Sequence, residues 1–289
     1  MKIIEGTSAN GIGTGIGKVL GIQCLKAEHK LFPDGESYIK MPNISVGEDI
    51  VIVQSTYPPQ DKHMLELFFM VDELKRAGAE HVTAAIPYLA YSRQNKQFMN
   101  GEAVSASTFM KLLYELGVRS IVTVEPHKKE VLSYFKGESK IINVEAQICA
   151  VIEKETSNPF IISPDKGGIE RARQIAETLG CGYDYIDKER NLATGEVSMH
   201  GTLHADVEGY DVVIVDDMIS TGGTIEQAAK VVILNGARKV TVAAAHLVMA
   251  GNAYDKIISA GVSHIYGTNT IPYPNARMID VSEDIAKVL

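Results

Sequence analysis

The chain has 289 residues, 45% of them hydrophobic and 22% charged, with a formal net charge of −8, which suits a soluble globular protein of about two domains. No Lys/Arg block is present to track a nucleic-acid backbone, and no apolar run approaches the ~20 residues needed to span a bilayer. Three scattered cysteines, Cys24, Cys149 and Cys181, argue for reduced thiols in a cytoplasm rather than for a disulfide framework or a metal cluster.

In chain order, "MKIIEGTSANGIG" lacks the apolar core and cleavage site of a secretion signal. "GIGTGIGK" (11–18) has the look of a nucleotide loop. Ile12 stands where a Walker A glycine would be, Val19 stands where its Ser/Thr would be, and the dinucleotide spacing fails as well. It reads as a flexible turn into a helix. "IVIV" (50–53), "IVTV" (121–124), "FII" (160–162) and "VVIV" (212–215) read as strands buried on both faces.

One pattern recurs four times: "AGAEHVT" from Ala77, "LGVRSIV" from Leu116, "NGARKVT" from Asn235 and "AGVSHIY" from Ala260. Each reads as a helix ending at a left-handed glycine, a short turn and a buried strand. Strands alternating with helices predict an α/β fold of two similar domains, each a mostly parallel sheet flanked by helices. The polar stretch "GESKIINVEA" (137–146) marks the boundary, giving domains over 1–142 and 143–289, with the last ~10 residues returning to the first. His200 and His204 are four apart like a zinc pair, but Gly201 and β-like surroundings argue against a helix there.

The richest stretch is "VVIVDDMISTGGTI" (212–225). Val212–Val215 read as the strand, and Ile225, Ala228, Ala229, Val232 and Ile233 as one apolar face of the helix that follows. Between them Ser220, Thr221, Gly222, Gly223 and Thr224 place backbone N–H groups at a helix N-terminus, where orphan donors and the helix dipole favour a phosphate. Asp216 and Asp217, just before, suit sugar hydroxyls or a metal, so the ligand implied carries both phosphate and hydroxyl groups. Ligands in such sheets bind beyond the carboxyl ends of the strands.

"VVIVDDMISTGGT" resembles the ribose-phosphate loop of the phosphoribosyltransferase-type fold, and within it the ribose-phosphate pyrophosphokinase family. Five further segments in family order carry the resemblance. "FPDGE" (32–36) is similar to a nucleotide-binding segment, which implies that Asp34, Gly35 and Glu36 meet the adenine of ATP. "YSRQNK" (91–96) implies Arg93 and Gln94 on the nucleotide, where a guanidinium fork suits phosphate oxygens. "TVEPH" (123–127) implies His127 at Mg–ATP, and "SPDKGGIERAR" (163–173) implies Asp165 at metal or ribose hydroxyls. "YIDKERN" (185–191) resembles the mobile catalytic loop, with Lys188 and Arg190 as its cations and Arg190 also at ribose 5-phosphate.

The resemblance implies transfer of the β,γ-diphosphate of ATP to the C1 hydroxyl of ribose 5-phosphate, with Mg²⁺ as cofactor. It also implies a homodimer or larger homo-oligomer whose active site lies near a subunit contact. Ser220 stands where many members carry an aspartate, Asn95 and Lys96 where an acid and an arginine are common, and Glu125-Pro126 where Asp-Leu is usual. This variation resembles archaeal-type members, and altered affinity rather than lost chemistry is expected from it. A phosphoribosyltransferase would have no use for the upstream ATP segments, and a regulatory relative would be expected to lose the loop cations or acids retained here.

Overall fold

In the computed structural model, which describes residues 1–187 and 201–289, the chain separates into two units. The first holds Met1–Asn143, Asn269–Ile271 and Asp280–Leu289, and the second Val144–Thr268 and Pro272–Ile279.

The first unit runs β1 (Lys2–Glu5), α1 (Ile12–Leu20), β2 (Cys24–Lys26), β3 (Glu28–Leu31), β4 (Ser37–Lys40), β5 (Ile50–Val53), α2 (Gln60–Arg76), β6 (Val82–Ile86), α3 (Ser105–Leu116), β7 (Val118–Val124) and β8 (Glu138–Ile142). Six strands form one sheet in the order β2-β1-β5-β6-β7-β8, every pair parallel. All four residues of β5 are buried, as parallel strands covered by helices on both faces require. Ile4, Ile50, Ile52, Leu67, Met70 and Phe109 belong to its core. β3 and β4 form a separate antiparallel hairpin.

The second unit runs α4 (Glu145–Glu155), β9 (Pro159–Ser163), α5 (Ile169–Leu179), β10 (Gly182–Tyr185), β11 (Asp211–Ile219), α6 (Gly223–Leu234), β12 (Lys239–Leu247), α7 (Ala253–Ser259), β13 (His264–Thr268) and β14 (Arg277–Ile279), after which α8 (Ser282–Ala286) belongs to the first unit. Its sheet is again wholly parallel, in the order β10-β9-β11-β12-β13-β14. With the hairpin set aside, both sheets have one strand order: second, first, third, fourth, fifth, sixth. The order reverses between β1 and β5 in one unit and between β9 and β11 in the other. Such reversal points open a crevice at the carboxyl ends of the strands.

All four recurring glycines are left-handed: Gly78, Gly117, Gly236 and Gly261 have φ of 95°, 113°, 82° and 95°. Each ends a helix ahead of a strand. The apolar face of α6 differs at its end from the sequence reading. Val231 is buried and Ile233 is 39% exposed, its Cδ1 lying where a Cβ on Gly261 would be.

The segment 11–18 is helix from Ile12 onward, after Gly11 in the left-handed conformation, rather than a flexible turn leading into one. Its glycines serve close packing. A Cβ on Gly13 would stand 2.5 Å from Cγ of Glu5, and one on Gly15 2.3 Å from Oγ of Ser282 in α8. One on Gly17 would stand 2.5 Å from the backbone oxygen of Ile22. Alanine is the better helix former by about 1 kcal/mol, yet Gly17→Ala is expected to lower the urea midpoint, because a backbone oxygen cannot rotate aside as a side chain can. A midpoint at or above that of the wild type would show that this contact does not constrain α1.

Candidate active site

The carboxyl ends of β9 and β11 meet at the reversal point of the second sheet, where Ile162 pairs with Ile214. β11 does not stop at Val215. It continues through both acids to Ile219, pairing Asp216 with Ala244 and Met218 with His246. Asp216 and Asp217 are therefore half-buried strand residues, not exposed residues beyond the strand. The sequence pattern ended the strand early because acids are poor strand formers; eight pairings to β12 override that preference.

The two side chains also order the backbone. The Asp217 amide donates to Oδ1 of Asp216 at 2.8 Å, and the Met218 amide to Oδ1 of Asp217 at 2.9 Å. Burial pushes the Asp216 carboxyl well above the usual carboxylate range. The charge of Asp217, a hydrogen bond shared with it, and the charge of Asp165 add to that shift. Like charges brought together out of water disfavour ionisation of both. Asp165, at the end of β9, caps a short 3-10 turn and accepts from the Gly167 amide at 2.8 Å.

The anion loop follows directly. α6 begins at Gly223, two residues before the start expected from the apolar pattern, because Gly222 adopts the left-handed conformation (φ 78°) and ends the loop there. The first intrahelical bond runs from the Glu226 amide to the Gly222 oxygen at 2.8 Å. The amides of residues 223–225, ahead of that bond, are those a helix start leaves for another acceptor. Ser220 is tied to the loop after β12 by the Ala250 amide, which donates to its oxygen at 2.9 Å. The acid in the first turn, Glu226, is drawn along the helix by Lys230 at 2.7 Å.

The two loop glycines differ in kind. A Cβ on Gly222 would stand 3.0 Å from the Ala253 oxygen. A Cβ on Gly223 would meet nothing within 4 Å, and Gly223 lacks a positive φ. Neither packing nor backbone conformation requires glycine at 223, and the space beside its backbone is open.

The remaining expected site residues that the structure describes lie in the first unit. His127 follows β7 after Glu125, whose φ is 35° and whose amide donates to the Ile142 oxygen at 3.0 Å. His127 itself is half-buried. Arg93 and Gln94 lie in the loop after the neighbouring strand β6. Arg93 is exposed, and the Gln94 amide donates to the Tyr91 oxygen at 2.8 Å. This loop is fastened to the end of β5. Thr56 Oγ1 donates to the Tyr88 oxygen at 2.8 Å and accepts from the Ala90 amide at 2.8 Å. Asn95 receives the Tyr134 hydroxyl on its backbone oxygen at 2.7 Å, and Lys96 lies over the Phe98 ring.

Asp34, Gly35 and Glu36 form the exposed tip of the β3–β4 hairpin. Gly35 is left-handed (φ 94°), and the Glu36 amide donates to Oδ1 of Asp34 at 3.2 Å.

Lys188, Arg190 and His200 lie outside the described residues. His204 is exposed, and its amide donates to Asp184 at 3.0 Å. Among the described residues no group of three or more His, Cys, Asp or Glu is placed to hold a metal by itself, and no helix is long and apolar enough to cross a membrane. All three cysteines are thiols.

One polar residue escaped the sequence reading. Glu66 falls among the buried positions His63, Leu67, Met70, Val71 and Leu74 of α2. A charge at a core position of a helical pattern is the signal that marks it.

Known proteins resemble this chain along its whole length. The model of the N-terminal domain of ribose phosphate pyrophosphokinase matches residues 1–117, and that of the phosphoribosyl transferase domain matches residues 129–270. Ribose-phosphate pyrophosphokinase of Sulfolobus acidocaldarius is 47% identical over 289 residues, and that of Saccharolobus solfataricus 47% over 288, with 99% of each chain covered in both cases. The crystal structure of phosphoribosylpyrophosphate synthetase from Mycobacterium smegmatis superposes with a TM-score of 0.88 at 26% identity, covering 99% of this chain and 96% of that one. The chain belongs to the ribose-phosphate pyrophosphokinase family.

Proposed function

We propose that the protein transfers the β,γ-diphosphate of ATP to the C1 hydroxyl of ribose 5-phosphate, releasing AMP and 5-phosphoribosyl 1-diphosphate. The carrying observation is that the family likeness runs through both units at 99% coverage. A phosphoribosyltransferase module accounts for residues 129–270 alone, and leaves the first unit without a use. The first unit is the ATP-binding domain and the second, apart from its shared C-terminal residues, the ribose 5-phosphate domain. The unbonded thiols favour a cytoplasmic location. Leu31, Phe32 and Tyr38, exposed on the hairpin, favour a homodimer or larger homo-oligomer with the active site near a subunit contact.

In the second unit the amides at the start of α6, with the hydroxyls of Ser220, Thr221 and Thr224, hold the 5-phosphate, while Asp216 and Asp217 accept hydrogen bonds from the ribose hydroxyls. In the first unit Asp34, Gly35 and Glu36 read the adenine, and Arg93 and Gln94 meet the phosphates. The carboxylates are hard oxygen donors suited to Mg²⁺, and their crowding at Asp216 is relieved by a cation. Asp165 in the second unit is proposed to hold a cation there, and His127 in the first unit to meet the metal that accompanies ATP. Bound Mg²⁺ would neutralise charge on the phosphate oxygens.

The C1 oxygen attacks the β-phosphorus, the bond from that phosphorus to the bridging oxygen of AMP breaks, and the hydroxyl proton passes to solvent. Catalysis of such a transfer is mostly positioning and neutralisation of developing charge. Lys188 and Arg190, which lie outside the described residues, are proposed to neutralise charge on the transferring group.

With protein, Mg²⁺, ATP and ribose 5-phosphate mixed, AMP is expected to form, and no AMP at any protein concentration overturns the reading. Lys188→Ala is expected to bind ATP normally and to lose on the order of 10²–10³ in turnover; wild-type turnover removes Lys188 from the mechanism.

Gly223→Ala is expected to weaken ribose 5-phosphate binding while keeping or raising thermal stability, since Gly→Ala at a compatible site contributes about 0.4–1 kcal/mol. Unchanged binding by calorimetry would remove the loop's close approach.

Burial and its acidic neighbours push the Asp216 carboxyl up, and a cation bound at its oxygens favours the ionised form. Affinity for ribose 5-phosphate with Mg²⁺ is therefore expected to rise from mildly acid to mildly alkaline buffer, and Asp216→Asn to flatten that rise. An unaltered pH profile in the variant assigns the dependence to another group.

A further inference from the structure

The reversal point of the first sheet is built differently from that of the second, and its chemistry centres on a carboxylate with no expected catalytic part. Glu66 of α2 has a side chain only 1% exposed. Oε1 accepts from Oγ of Ser37 at 2.6 Å and faces Nε2 of His29 at 3.1 Å and Nζ of Lys62 at 3.7 Å. Oε2 accepts from the hydroxyl of Thr7, just beyond β1. Thr7 in turn receives Nε2 of Gln54, the residue after β5, at 2.9 Å, and Oε1 of Gln54 accepts from the Ser8 amide at 3.0 Å. Burial pushes the Glu66 carboxyl up, but the hydrogen bonds from Ser37 and Thr7, with the charges of Lys62 and His29, outweigh it and hold the group below its usual range.

Two of these partners, His29 and Ser37, lie on the two strands of the hairpin, and Ser37 directly follows Glu36. The hairpin has little else to fix it. β3 is exposed at all four positions, and of the four residues of β4 only Ile39 packs against the core cluster. A two-stranded hairpin by itself is marginal in water. A buried carboxylate satisfied from both strands is therefore a directional anchor, since charged hydrogen bonds are short and geometrically demanding.

We propose that Glu66 is a positioning residue for the nucleotide. Through Ser37 and His29 it ties the hairpin to α2 and to the end of β1, holding Asp34, Gly35 and Glu36 in the orientation that receives the base of ATP. This rests on the reading that the hairpin tip binds the nucleotide.

The test is steady-state kinetics on the full chain with wild type, Glu66→Gln, Ser37→Ala and Glu36→Ala. Glu66→Gln keeps the side-chain volume, loses the charge and retains one acceptor. Ser37→Ala removes a single partner on the hairpin and leaves the core untouched. Both are expected to raise KM for ATP roughly tenfold, the loss of one charged hydrogen bond. KM for ribose 5-phosphate and kcat at saturating ATP should stay at wild-type values. A purely structural role would instead lower thermal stability and affect both substrates together, and that result overturns the proposal. Wild-type KM for ATP in both variants, with a raised value in Glu36→Ala, also overturns it while leaving the nucleotide reading intact. Wild-type KM in Glu36→Ala overturns the nucleotide reading itself.

Discussion

Like charges held together at the carboxyl ends of β9 and β11 are the constraint around which the second unit is organised. Carboxylates do not gather out of water without a reason, because each resists the ionisation of the next. Asp216 carries that strain most plainly. The sheet sustains it because β11 pairs with β12 through Asp216 and on to Ile219. Asp216 and Asp217 thus sit on a strand held in register by backbone hydrogen bonds. Within a few residues the polarity inverts, from carboxylates on the strand to free amides at the start of α6. A sugar phosphate, with hydroxyl donors at one end and an anion at the other, matches that inversion.

The two sheets share one strand order and use their reversal points oppositely. In the first, Thr7, Ser8, Gln54 and Glu66 close the crevice with their own hydrogen bonds. In the second it carries acids and an uncovered glycine. The same topology therefore carries a hydrogen-bonded polar cluster in one unit, and crowded acids with an uncovered glycine in the other. The difference lies in a few polar side chains at the carboxyl ends of the first and third strands and on the helix that follows.

Much of this was legible in the residues. β5 and the core of β11 announce themselves because strands buried on both faces are continuous apolar runs, and Gly78, Gly117, Gly236 and Gly261 mark helix ends by a conformation other residues avoid. The acid pair and the Ser-Thr-Gly-Gly-Thr loop pointed to one ligand chemistry. What the pattern misplaced were boundaries, where long-range pairing prevails over local preference. β11 runs on through Asp216 and Asp217, and α6 starts as soon as Gly222 permits. The glycines of α1 misled for a related reason, since their need comes from Glu5, Ile22 and Ser282, two of them distant in the chain or in another element. Glu66 escaped notice because its partners come from three separate segments.

The return of residues 280–289 to the first unit has a consequence for synthesis. α1 leaves the ribosome well before α8, whose Ser282 packs against Gly15. At about 5–20 residues per second, the face of α1 around Gly15 waits on the order of tens of seconds for its cover, while the whole second unit emerges. The first unit therefore cannot finish before the second is made.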